Sequence, residues 1–108
     1  MLILIFEDNL MWSSRLKRTI SGLGHESKVI GAIPEVFPVA EAAIVNLGSS
    51  AIDPSELVPK LRAAGIYVIA HAGHKETDLK NLSKELGCHR LVSNSELTFK
   101  LSAILANV

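Results

Sequence analysis

Glu7 and Asp8 are adjacent carboxylates that follow directly on an apolar run, Leu2 to Phe6. Two such groups side by side can hold a divalent cation, or one of them can cap a following helix, a task that also suits Asn9 behind them. His71 and His74, spaced H-x-x-H after another apolar run, are residues able to ligate a metal. With Glu7, Asp8 and Asn46 they form one candidate set at a common sheet edge, for zinc, another transition ion or a small ligand. Two carboxylates alone make a poor cation cage, and H-x-x-H in a loop is common by chance. Capping of the first helix by Asp8 or Asn9 is therefore the plainer reading of the acidic cluster.

The elements that must carry these residues recur as short apolar runs, each ending in a polar edge. Leu2–Phe6 is continuous rather than alternating, which predicts a strand buried on both faces. Ser27–Ile30, Ala42–Leu47, Ile66–His71 and Arg90–Ser93 are the other predicted strands. Between them, Trp12, Leu16, Ile20 and Leu23 mark one face of a first helix that Gly24 can end. Asp53-Pro54-Ser55-Glu56 predicts a helix start, with Asp53 as cap, Pro54 in the first turn and Glu56 reaching back. Pro59 predicts a kink in that helix, which runs on to Gly65. Leu79, Leu82 and Leu86 line a further helix stopped by Gly87, and a last one from Asn94 or Ser95 buries Leu97, Leu101, Ile104 and Leu105. Gly31 to Val39, with Pro34 and Pro38, is too poor in periodic apolar positions for a helix and is expected as a loop or single turn. Strand and helix thus alternate five times with the second helix degraded, which demands a parallel sheet with helices on both faces.

Composition narrows the function. The 108 residues suit one domain, 1–108, with a core of its own. Eleven basic residues balance eleven acidic ones, so the electrostatic case for nucleic-acid binding is absent. A single cysteine, Cys88, excludes an internal disulfide and suits a reducing, cytoplasmic setting, and it reads as a packed rather than a reactive thiol. The first apolar run is too short for a membrane helix.

Three stretches carry a resemblance: ILIFEDN at 3–9, LGHE at 23–26 and GCHRLV at 87–92. In this order and spacing they resemble the receiver domain of bacterial response regulators, over nearly the whole chain. The resemblance implies the CheY-like, flavodoxin-like (βα)5 fold, a three-layer sandwich with strand order 2-1-3-4-5. It also implies a magnesium ion held by Glu7 and Asp8 and by a third carboxylate at the end of strand three, which accepts the phosphoryl group. Here that position is Asn46, and a neutral amide is no useful nucleophile toward phosphorus and a poorer magnesium ligand than a carboxylate. The hydroxyl expected at the end of strand four falls on His71 or Ala72, and the lysine expected after strand five falls on Asn94.

The resemblance therefore implies a degenerate phosphorylation site at Glu7, Asp8, Asn46, His71, Ala72 and Asn94, with no catalytic residue, no enzymatic activity and no firm cofactor, magnesium on the acidic pair being weak. Asp53 is the nearest other carboxylate for a non-standard acceptor, but its place is that of a helix cap, and Ser49 and Ser50 read as turn residues. The expected function is a stand-alone pseudo-receiver that works by protein association, with no output domain after the last helix. Its partner would be a histidine kinase or an output protein of a signalling pathway. By the same resemblance Lys75–Leu86 and Ser95–Leu105 form the contact surface, for such a partner or for a second copy. The basic cluster Arg15, Lys17 and Arg18 on helix one, with Trp12 beside it, is a further candidate contact face and otherwise a solvated one. His25 and His89 are expected away from the site, in a turn and at the entry to strand five.

Overall fold

The computed structural model describes residues 1–72 and 77–108. Five strands, β1 (Leu2–Phe6), β2 (Glu26–Val29), β3 (Ala42–Asn46), β4 (Tyr67–Ala72) and β5 (Arg90–Ser93), form one sheet. Their order is β2-β1-β3-β4-β5 and every neighbouring pair is parallel. This is the flavodoxin-like receiver fold. The predicted strands are all present; β2 and β4 each sit one residue from their expected start.

Side-chain parity along the strands divides the core in two, because successive residues point to opposite faces. Ile3, Ile5, Ile44, Ile69 and Val92 face one side and pack there against Leu16 and Ile20 of α1 (Leu10–Gly22). On that side they also meet Leu97 of α4 (Asn94–Phe99) and Leu101, Ile104 and Leu105 of α5 (Leu101–Leu105). Leu4, Phe6, Ala43, Val45, Val68 and Ala70 face the other side, against Leu57, Val58 and Leu61 of α2 (Pro54–Ala63) and, more loosely, Leu79 and Leu86 of α3 (Thr77–Leu86). The three central strands, β1, β3 and β4, are therefore apolar on both faces, which explains their unbroken hydrophobic runs.

Local chemistry sets the helix ends. Asn9 caps α1, its side-chain oxygen accepting the N–H groups of Met11 and Trp12 at 3.0 and 3.1 Å. Leu23 lies just past the helix as its C-cap and is partly exposed rather than on the buried face, and Gly24 follows at φ 84°, a conformation that favours glycine. Asp53 caps α2 through the Ser55 N–H, but Glu56 does not reach back; its carboxylate meets Lys60 at 3.2 Å one turn on. Pro59 lies within α2, which continues through it to Ala63. The expected single helix from Asn94 or Ser95 to Leu105 starts at Asn94 but is instead two, parted at Lys100, whose φ of −125° is not helical. The Thr98 hydroxyl donates to the Asn94 carbonyl at 2.9 Å, a competing bond that bends helices. Residues 31–40 form no helix, as their prolines require. Ile33, Phe37 and Ala40 still cover part of the second face, with Phe37 edge-on to Phe6 at 6.2 Å.

Candidate functional site

The same parity that sorts the core assembles the polar cluster. Continuing the series Ile3, Ile5 brings Glu7 to the α1 side, as Ile44 brings Asn46 and Ile69 brings His71. Asn46 and His71 are register partners on β3 and β4. Three polar residues at the carboxyl ends of three adjacent strands thus converge beneath the start of α1, where open α/β sheets place their sites.

Glu7 is 2% exposed, and only one of its two carboxylate oxygens is hydrogen-bonded. Oε1 accepts from the Asn46 amide at 3.0 Å and from the Asn9 backbone N–H at 3.1 Å. Oε2 stands 3.0 Å from Nε2 of His71. That contact is close but not aligned as a hydrogen bond, and neither atom has a hydrogen-bond partner among the described residues. His71 is itself 1% exposed, and its Nδ1 lies 2.9 Å from Oδ1 of Asn94, the first residue of α4. The Trp12 indole covers the imidazole edge-on at 6.2 Å, and the Arg15 guanidinium lies over the indole at 5.7 Å from its centre.

Burial by itself would raise the Glu7 pKa. The His71 contact, the Asn46 amide and the Asn9 N–H outweigh it and bring the carboxyl down from 4.5 to about 2. Asn46 in turn is fixed by the Gly48 N–H, which donates to its Oδ1 at 2.9 Å. A carboxylate surrounded in this way is an anion held in place.

The predicted residues meet different fates. Glu7, Asn46, His71 and Asn94 come together, and the Asn94 contact to His71 is one that sequence reasoning missed. Asp8, next to Glu7 in the chain, is exposed and contributes nothing to the cluster. The helix cap is Asn9, not Asp8. The two candidates at the end of β4 fall on opposite faces: His71 shares that of Ile69 and the cluster, while Ala72 shares that of Ala70. Among the described residues no group of three or more His, Cys, Asp and Glu side chains is placed to hold a metal ion. His74, the second histidine of that expectation, and Lys75 lie outside the described residues. Asp53 is occupied as the α2 cap, and Ser49 accepts the N–H groups of Ala51 and Ile52 in a turn. Half-buried Cys88 has its thiol pKa pushed up by burial, which leaves it less reactive.

Magnesium, which the resemblance implies, does not fit these residues. It would need oxygen ligands free to turn toward it. Glu7 Oε1 accepts two N–H groups, Oε2 is blocked by His71 Nε2 at 3.0 Å, and the Asn46 oxygen faces the Gly48 amide.

No protein-family model matches the sequence, and no curated protein does. Solved structures do match the fold. A putative response regulator from Chloroflexus aurantiacus superposes with a TM-score of 0.77 at 19% identity, over 97% of each chain. A CheY-like response regulator receiver domain protein from Methanospirillum hungatei gives 0.76 at 18% identity, over 98% of this chain and 94% of its own. The receiver domain of the TMAO respiratory system response regulator TorR gives 0.77 at 16%, over 99% and 98%. The chain thus has the fold of response-regulator receiver domains along nearly its full length. Among the described residues no helix is long and apolar enough to cross a membrane.

Proposed function

We propose that this chain is a pseudo-receiver, one signalling domain that keeps the receiver architecture, lacks the phosphoacceptor and acts by protein association. The observation that carries the reading is the Asn46 side chain. At the position where a receiver needs a nucleophilic carboxylate, an amide donates a hydrogen bond to Glu7 at 3.0 Å. The departures at His71, Ala72 and Asn94 support it: the first and last are committed to each other at 2.9 Å, and the alanine side chain has no polar atom.

In this reading the chain is a cytoplasmic non-enzyme whose output depends on what it binds, a kinase or output protein of a signalling pathway or a second copy. Two faces suit such contacts. One is the β5 edge of the sheet with α3 on one face and α4 and α5 on the other, and Phe99 of α4 is 82% exposed. The other is the α1 face, where Met11, Trp12, Arg15 and Arg18 border a surface hollow of about 630 Å³.

The test is incubation with magnesium and acetyl phosphate, followed by intact-mass measurement. No phosphoryl adduct is expected. An adduct lost in Asp8→Ala or Asp53→Ala would overturn the reading and identify a non-standard acceptor. Light scattering on a sizing column reports self-association.

A further inference from the structure

We infer that His71 is a resident plug: its imidazole N–H fills the place beside Glu7 that a divalent cation would otherwise take, so this sheet edge works without metal. This deepens the reading above and rests on it for one point, that no phosphoryl transfer calls for a metal here.

A buried carboxylate needs compensation from inside the protein, because water cannot reach it. Glu7 meets nitrogen on both oxygens: two N–H groups donate to Oε1, and the imidazole Nε2 stands 3.0 Å from Oε2, close but not aligned as a hydrogen bond. For a carboxylate to tolerate Nε2 at that distance, the nitrogen must carry its proton on the Glu7 side. That holds whichever way the Asn94 amide faces Nδ1, since Asn94 can supply either an acceptor or a donor to that atom.

The ring cannot swing aside cheaply. It is 1% exposed, held at Nδ1 by the first residue of α4, covered by Trp12 of α1 and carried on a central strand in register with Asn46 and Val92. A metal would have to displace the imidazole and reverse the Asn46 amide together. Among the described residues, Asp8 beside Glu7 and Arg15 beyond Trp12 are both exposed, so neither charge is buried with the cluster.

Trp12 is the single tryptophan and lies against the plug, so its emission reports on the site directly. In the wild-type protein, Mn²⁺ or Mg²⁺ at millimolar concentration should change neither Trp12 emission nor the melting midpoint relative to chelator. His71→Ala should lower the midpoint by about 10 °C or more. Part of that loss should return with Mn²⁺, now able to reach the exposed anion, and the Mn²⁺ response should vanish in the Glu7→Gln/His71→Ala double variant.

Metal binding by the wild-type protein with a change in Trp12 emission would overturn the inference, as would a His71→Ala midpoint that is unchanged or indifferent to Mn²⁺. Should His71→Ala fail to fold, the nitrogen spectrum of the wild-type imidazole decides. A proton on Nε2 protected from exchange supports the plug, and an unprotonated Nε2 overturns it. The two readings separate cleanly: wild-type metal binding without a phosphoryl adduct removes the plug and leaves the association reading intact.

Discussion

His71 and His89 are the same residue at opposite ends of one sheet, and they do different work. His89 lies just before β5, exposed; its Nδ1 accepts the Val68 N–H at 2.9 Å and its ring stacks on Tyr67 at 4.6 Å. It ties a loop to the entry of β4, with water free to share the task. His71 ends β4 under α1, 1% exposed, and faces a buried anion. The lesson is that burial sets the stakes of a polar contact. Where water can replace a lost partner the cost is that of one hydrogen bond, and where it cannot, the orphaned group bears its full desolvation.

That contrast can be broken by measurement. The largest effect expected is for Glu7→Ala, which orphans both His71 Nε2 and the Asn46 amide; urea unfolding should show a loss of about 3–5 kcal/mol. His89→Ala should cost about 1 kcal/mol, and an equal cost at the two sites would end the comparison.

Acid should expose the same asymmetry. The Glu7 carboxyl sits near 2 in the folded chain against 4.5 ordinarily. A depressed pKa contributes stability in full above the ordinary value, and that stability is lost as pH falls through the window from 4.5 toward 2. The loss should be about 3 kcal/mol in urea midpoints taken across that window, and Glu7→Gln should flatten this component. Asn94→Ala, which frees one side of the imidazole, should cost about 1–2 kcal/mol by the same assay. The smallest effect is for Asp8→Ala, within about 0.5 kcal/mol, because its carboxylate is exposed and outside the cluster. A large Asp8 effect would mean that the two adjacent acids act together after all.

Much of the fold was legible because it is written in local patterns. Continuous apolar runs gave the five strands, Asp53-Pro54 gave the start of α2, and Pro34 and Pro38 removed the second helix. The break at Lys100 was hidden, since Leu97, Leu101, Ile104 and Leu105 keep helical spacing across it. Its signal is Thr98, a residue able to bond back onto the turn before it. The capping box of α4 was also missed: the Ser93 hydroxyl accepts the Glu96 N–H while Glu96 accepts the Ser93 N–H, both at 3.1 Å. At the site, period-two spacing ties Glu7 to Ile5, Asn46 to Ile44 and His71 to Ile69, but strands apolar on both faces carry no local sign of which face is which.

Sequence by itself determined which residue types stand at the strand ends: an acid pair after β1, an amide at the end of β3, a histidine in β4 and an asparagine after β5. Only the tertiary structure decided that Glu7 turns inward while Asp8 stays in water, and that the Asn46 amide and the Asn9 N–H donate to the anion while the histidine lies against it. Neighbours in a chain share a position along the backbone but not a dielectric surrounding. Which side of the sheet each one faces, and what packs over it, is fixed by contacts between segments far apart in sequence.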